Sequence, residues 1–221
     1  MVGRRTITNY GLVFHFTVIS KLGFMAYLQK FKNYKNSKIT TIGVLSIQGS
    51  FEEHKNAVSS LGIETVLVKT KEDFEKIDAL ILPGGESTTM YSLIKEYDLE
   101  KLLIDRIKEG MKVLGTCAGM ILLSKNILGL IDIKVDRNAY GRQLDSFKTE
   151  IEFQDKNIEA IFIRAPKITS FGSNVEVLAK FEDNPVLLKQ GNILVASFHP
   201  ELTDDRTIYE YFLEEIWYTK S

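Results

Sequence analysis

The sequence predicts an α/β domain with a mostly parallel central sheet, flanked by helices, and a smaller antiparallel portion. Three observations predict it. Short apolar, β-rich segments alternate with helical ones through the first half of the chain. Those segments lack the polar alternation of a half-solvated strand, as expected when both faces of a sheet are covered. Beyond Ile131 the texture changes to closely spaced strand candidates with short connectors, which suggests antiparallel pairing.

The elements follow in order. Residues 41–47 form a buried strand ending at Gln48-Gly49. Ser50, with Glu53 three residues on, has the spacing of a capping box for a helix that runs to about residue 61, where Gly62 stops it. Residues 63–68 are a second strand and 78–82 a third, ended by Pro83-Gly84-Gly85. Residues 87–108 read as one helix, with Leu93, Ile94 and Tyr97 on one face and Leu102, Leu103 and Ile107 further along. A fourth strand, 112–114, leads into Gly115-Thr116-Cys117-Ala118-Gly119 and an apolar helix to about residue 125. Later strands are placed at 147–153, 158–163, 175–181, 185–189 and 193–198, and an amphipathic helix at about 204–218 closes the chain.

Composition narrows the function. Of 221 residues, 44% are hydrophobic and 26% charged, ordinary values for a globular protein. The net charge of −1 points neither to nucleic acid nor to an anionic membrane. One cysteine excludes an intrachain disulfide, and one Cys with three His disfavours a Cys/His zinc cluster. No run reaches the roughly 18 apolar residues of a membrane-spanning helix. Charge is unevenly spread: residues 1–40 hold seven Lys/Arg and no acid, which leaves 21 basic and 29 acidic groups in 41–221, a net of −8. The domain is therefore set at 41–221. Residues 1–40 read as a basic extension whose role the composition leaves open. It is an extension without a role, or the product of a start placed upstream of Met25, or an organelle-targeting segment. The first two are favoured, and the expected location is cytoplasmic.

The Gly115–Gly119 stretch has the form of a nucleophile elbow, G-x-C-x-G. A strand feeds a sharp turn, Cys117 sits at its apex and a helix begins at once. A helix N-terminus favours thiolate there, and the next N–H, of Ala118, points where an oxyanion would form. A structural cysteine in a Gly-rich turn is equally consistent with this stretch alone. Ser197-Phe198-His199-Pro200-Glu201 shifts the balance. His199 and Glu201 are two apart at a strand end, and Pro200 biases His199 towards extended backbone, so both side chains are expected on one side. Glu201 would then orient His199, as the third member of a triad does. In a parallel sheet the C-terminal strand ends gather at one rim, where Cys117 and His199 can meet. Pro83-Gly84-Gly85-Glu86-Ser87 also ends a strand. It offers a second oxyanion N–H from Gly85, or is a simple turn with Ser87 as helix N-cap.

The stretches P-G-G-E-S, G-T-C-A-G and F-H-P-E, in this order and spacing, resemble the class I (triad) glutamine amidotransferases. Residues 137–147, residues 162–166, Ile47-Gln48-Gly49 and Glu53-His54 narrow the resemblance to the glutaminase-subunit family of pyridoxal 5′-phosphate synthase (PdxT/Pdx2), over about residues 42–218. The resemblance implies a flavodoxin-like three-layer fold and hydrolysis of L-glutamine to glutamate and ammonia. Cys117 would be the nucleophile, His199 base and then acid, and Glu201 its orienter. Gly85 and Ala118 would form the oxyanion hole. Gly85, Glu86, Ser87, Arg137, Ile163 and Arg164 would contact glutamine, and Gln48 would respond to the partner. Arg suits bidentate capture of the substrate carboxylate, and Glu86 could neutralise its ammonium. Arg142 is assigned to surface salt bridging or the partner interface, and His54 to the surface of the first helix or that same interface.

No metal or cofactor is implied; pyridoxal phosphate would be the product of the complex. The partner would be a PdxS-type (Pdx1-type) synthase subunit that receives the ammonia. The alternatives are a glutaminase subunit for histidine or purine synthesis, a cysteine peptidase on a similar scaffold, and an inactive regulatory homologue.

Overall fold

The computed structural model describes residues 41–137 and 146–218; the basic extension 1–40 and the stretch 138–145, which carries Arg142, lie outside the described residues. In chain order the first half runs β1 (Thr41–Leu45), α1 (Phe51–Ser60), β2 (Glu64–Val68), α2 (Lys71–Phe74), β3 (Ala79–Leu82), α3 (Ser87–Glu96), α4 (Glu100–Lys108), β4 (Lys112–Thr116) and α5 (Ala118–Leu123). The second half runs β5 (Ile133–Asp136), β6 (Phe147–Phe153), β7 (Lys156–Phe162), β8 (Lys167–Phe171), β9 (Glu176–Phe181), β10 (Asn184–Gln190), β11 (Ile193–Ala196), a 3₁₀ turn (Pro200–Leu202) and α6 (Thr207–Tyr218).

Seven strands form one sheet in the order β2-β1-β3-β4-β11-β10-β9. The pairs from β2 to β11 are parallel, and β10 and β9 extend that edge antiparallel. Two hairpin-like pairs, β5–β8 and β6–β7, stand apart from it. The expected antiparallel portion is thus divided. Part continues the main sheet and part forms separate two-stranded ribbons.

Each central strand feeds two cores. Along β3, Leu80 and Leu82 join one cluster, and Ala79 and Ile81 the other. Along β11, Ile193 and Val195 alternate in the same way with Leu194 and Ala196. Successive strand residues point to opposite faces, so a fully apolar strand supplies both. Met90 and Ile94 of α3, Leu103 and Ile107 of α4, and α5 cover the first face. Ala57 and Val58 of α1 and Phe212, Leu213 and Ile216 of α6 cover the second. Burying each such side chain stabilises the fold by about 1.5–3 kcal/mol.

Four local expectations are corrected. The helix expected over 87–108 is two. Asp98 adopts φ 53°, and Leu99 N–H and Asp98 N–H return to the carbonyls of Ile94 and Lys95. This is a Schellman stop in which Asp stands where Gly is usual, sealed by buried Ile94 and Leu99. Ser50 stands at the N-cap of α1 but makes no side-chain cap. Strands β5 and β8 and the one-turn helix α2 have no counterpart among the expected elements. His54 is fully buried.

Candidate active site

Strand β4 stops at Thr116 and α5 starts at Ala118, so Cys117 alone makes the corner. Its backbone sits at φ 46°, ψ −102°. A side-chain-bearing residue held there carries strain of about 1–3 kcal/mol, sustained only because the surroundings over-determine it. Those surroundings are visible. Cys117 N–H donates to Ala196 O at 2.8 Å, which ties the corner to β11. A Cβ on Gly119 would lie 2.0 Å from Leu82 O, so only glycine lets α5 start this close to β3.

His199 arrives from β11. Phe198 is buried beside Phe162, with ring centroids 5.8 Å apart, and His199 N–H donates to Ile161 O at 2.8 Å. The chain then enters the 3₁₀ turn with Pro200 at its first position, where the missing N–H costs nothing. His199 Nδ1 lies 2.7 Å from Glu201 Oε1. The expected pairing is therefore present, but the expected extended route to it is not: the tight turn, rather than a two-residue strand alternation, brings Glu201 under the ring.

The P-G-G turn closes the third side. A Cβ on Gly84 would lie 2.4 Å from His199 Cε1 and 3.4 Å from Cys117 Cβ, so ring and thiol converge on the same glycine. Gly84 O accepts from Ser50 N–H at 3.0 Å, which sets the plane of the Gly84–Gly85 peptide and aims Gly85 N–H the opposite way. Gln48 Oε1 accepts from Glu86 N–H at 3.0 Å and packs on Gly85, beside the turn as expected.

Charge is arranged around the imidazole. Burial opposes its charged form, but the Cys117 side chain and Glu201 outweigh burial and raise the His199 pKa to about 10. Nδ1 is taken by Glu201, and Nε2 makes no hydrogen bond of ordinary geometry among the described residues. Burial alone would raise the pKa of Glu201. His54, His199 and the Ser50 hydroxyl reverse that and hold it at about 2.

The remaining expected residues fall unevenly. Arg137 Nη1 lies 3.1 Å from Thr88 Oγ1 and 3.3 Å from Ser87 Oγ, so it stands at the start of α3 beside the P-G-G turn. Glu86, not Ser87, is the N-cap of α3. Its carboxylate accepts from Thr88 N–H and from the N–H and hydroxyl of Thr89, which holds its pKa at about 2. Ile163 and Arg164 follow β7 directly after its contact with His199, and Arg164 has φ 43°. No group of three His, Cys, Asp or Glu able to hold a metal occurs among the described residues.

Sequence reasoning missed a buried polar set behind Glu201. Ser50 Oγ donates to Glu201 Oε1 at 2.7 Å, while His54 Nε2 lies 3.3 Å from Glu201 Oε2 and 3.0 Å from Thr116 Oγ1. Tyr209 OH lies 2.8 Å from His54 Nδ1. A signal was present: His54 precedes the apolar Ala57 and Val58 by three and four positions, which places it on the buried face of α1.

Residues 44–218 match the model of the SNO glutamine amidotransferase family. The chain is 55% identical over 184 residues to the pyridoxal 5′-phosphate synthase subunit PdxT of Thermosipho africanus, covering 79% of this chain and 98% of that one. It is 53% identical over 175 residues to the subunit of the same name from Francisella philomiragia, covering 78% and 97%. Among solved structures, a glutamine amidotransferase superposes with TM-score 0.76 at 46% identity, covering 79% of this chain and 98% of that one. A chain from the structure of PurLQS from Thermotoga maritima shares the fold at TM-score 0.66 and 14% identity, covering 83% and 100%.

Proposed function

The chain belongs to the SNO glutamine amidotransferase family, and from that premise we propose that it is the glutaminase subunit of a pyridoxal 5′-phosphate synthase. The observation that carries the reading is the convergence of Cys117, His199 and Glu201 at one rim of the sheet.

The chemistry is a two-step acyl transfer. Cys117 Sγ attacks the side-chain amide carbon of L-glutamine, and the proton of the thiol resides on His199. The tetrahedral oxyanion is met by the N–H groups of Gly85 and Ala118. The C–N bond then breaks, His199 returns the proton to the leaving nitrogen, and ammonia departs from a glutamyl thioester. Water, deprotonated by His199, hydrolyses the thioester to glutamate. Glu201 keeps Nδ1 protonated and stabilises the imidazolium. Arg137 receives the substrate α-carboxylate, and Glu86, Ser87, Ile163 and Arg164 complete the pocket. The position of Arg137 against Ser87 supports this part.

Ammonia is delivered to a PdxS-type synthase subunit, which makes pyridoxal phosphate, so that compound is product and not cofactor here. Gln48, against the Gly85 turn, is placed to report partner binding to the oxyanion hole. A cytoplasmic location suits a nucleophilic thiol, which a reducing compartment keeps free.

The test is glutamate release from L-glutamine by the full chain, alone, with a pyridoxal phosphate synthase subunit, and with an imidazole glycerol phosphate synthase subunit. The rate rises with the first partner only. Equal stimulation by the second, or peptide cleavage without glutamine turnover, would overturn the reading.

A further inference from the structure

Glu201 has two oxygens and three polar neighbours: buried His54 and His199, and half-buried Ser50. Oε1 receives both the Ser50 hydroxyl and His199 Nδ1 at 2.7 Å. Oε2 has no hydrogen bond of good geometry among the described residues; His54 Nε2 lies 3.3 Å from it. A buried carboxylate oxygen left without a donor is costly, so the state of His54 matters.

That state follows from Tyr209. The Tyr209 hydroxyl is buried, and the acceptor beside it is His54 Nδ1 at 2.8 Å. If Nδ1 carried the proton, the hydroxyl hydrogen would be orphaned in the core. Nδ1 therefore accepts. Burial, the largest influence on His54, lowers its pKa and keeps the ring neutral, so the single ring proton sits on Nε2. From there it is bonded to Thr116 Oγ1 at 3.0 Å, with Glu201 Oε2 3.3 Å from the same nitrogen. Thr116 immediately precedes Cys117, so one imidazole spans the triad carboxylate and the strand that carries the nucleophile.

We propose that His54 is a positioning residue for the triad: its Nε2–H is bonded to Thr116 Oγ1, next to the nucleophile, and lies 3.3 Å from the second oxygen of Glu201, and Tyr209 sets the tautomer that supplies this hydrogen. Oε1 is held by the Ser50 hydroxyl and His199 Nδ1, the positive edge of the His54 ring lies against Oε2, and Oε1 stays aimed at His199 Nδ1 while that ring gains and loses its second proton. This inference rests on the triad reading above. The groups around His54 are Glu201, His199, Glu53 and Tyr209, and those around Glu201 are His54, His199 and Ser50. Removing His54 withdraws a ring whose charge, gained as pH falls, lowers the Glu201 pKa, so the acid limb of kcat/KM moves to higher pH.

The test uses the full chain assembled with a pyridoxal phosphate synthase subunit, with steady-state glutaminase kinetics and thermal melting of each variant. His54→Leu is expected to lower kcat about 10–100-fold, the usual cost of a lost outer-shell partner, with KM for glutamine held within about twofold. His54→Gln, whose amide N–H reaches the Nε2 position, recovers most of kcat. Tyr209→Phe lowers kcat and shifts the acid limb in the same direction, and adds little in the His54→Leu background. A folded His54→Leu with wild-type kcat and pH profile overturns the proposal, as does a folded His54→Gln no better than His54→Leu. If His54→Leu does not fold, Tyr209→Phe decides: unchanged kcat and an unmoved acid limb overturn the proposal, and a fall with the shifted limb supports it. Cys117→Ala separates the two readings. If it retains turnover, the triad assignment itself fails; if it is inactive while His54→Leu is normal, only the role of His54 fails.

Discussion

The Ser50 hydroxyl donates to the carboxylate of Glu201 at 2.7 Å across 151 positions of sequence, instead of capping the helix it precedes. This bond joins the first strand–helix corner of the domain to the turn after its last strand. Glu201 becomes the point where Ser50, His54 and His199 meet, and its charge is what these neighbours are arranged to keep.

Glu201→Gln should therefore be severe. The amide carries no charge to stabilise the imidazolium, and its NH2 can donate to His199 Nδ1 and select the wrong tautomer. Glutaminase kcat is expected to fall about a thousandfold or more, with the folded state retained in circular dichroism. A rate within a few-fold of wild type would remove Glu201 from the triad.

Cys117→Ala removes the attacking atom and should abolish glutamine turnover, a loss of at least about a thousandfold. Trapping gives a second check. An electrophilic glutamine analogue should label the wild-type chain at residue 117, seen as a mass shift in the tryptic peptide, and leave the alanine variant unlabelled.

Gly84→Ala tests the convergence of ring and thiol. The new Cβ would stand 2.4 Å from His199 Cε1 and must push the ring aside. A displacement of this order costs about a hundredfold in kcat. Wild-type activity in this variant would show that the ring is not confined there.

The raised pKa of His199 has a signed consequence for stability. Its folded-state value, about 10, lies above the ordinary 6.5. The contribution is fully present below pH 6.5 and is lost as pH rises through about 10. Glu201 runs the other way: held at about 2 against 4.5, its contribution is present above pH 4.5 and lost as pH falls through about 2. Urea unfolding from about pH 6 to 10 should show declining stability in the wild type and a weaker decline in Cys117→Ala, where one cause of the His199 shift is gone. Nuclear magnetic resonance of the His199 ring should show it still protonated at about pH 8 in the wild type and titrating lower in the variant.

Much of the fold and site was legible in the sequence. The apolar runs 79–82 and 193–196 marked buried parallel strands, because a strand between two helical layers has no solvent face to mark with polar residues. Cys117 was legible because a corner of this kind needs small residues on both sides, and Gly115 and Gly119 supply them. The stop at Asp98 was not legible, since its left-handed backbone is stabilised by Ile94 and Leu99 packing across it rather than by a glycine. Strands β5 and β8 were missed because four- and five-residue pairs with partly exposed faces leave little pattern.

By itself, the sequence determined the local chemistry: a nucleophile at a strand–helix corner, a histidine with a carboxylate two positions on, a glycine turn, and the periodicities that place each at a strand end. Those properties depend on neighbours along the chain, so they can be read from it. Only the tertiary structure decided which groups share a buried space. It took Ser50 from its helix and gave it to Glu201, and buried His54 between Tyr209 and the triad. Such pairings join residues 62 to 155 positions apart, and the strength of each comes from exclusion of water. Burial of that kind exists only once the sheet and its two covering layers have closed.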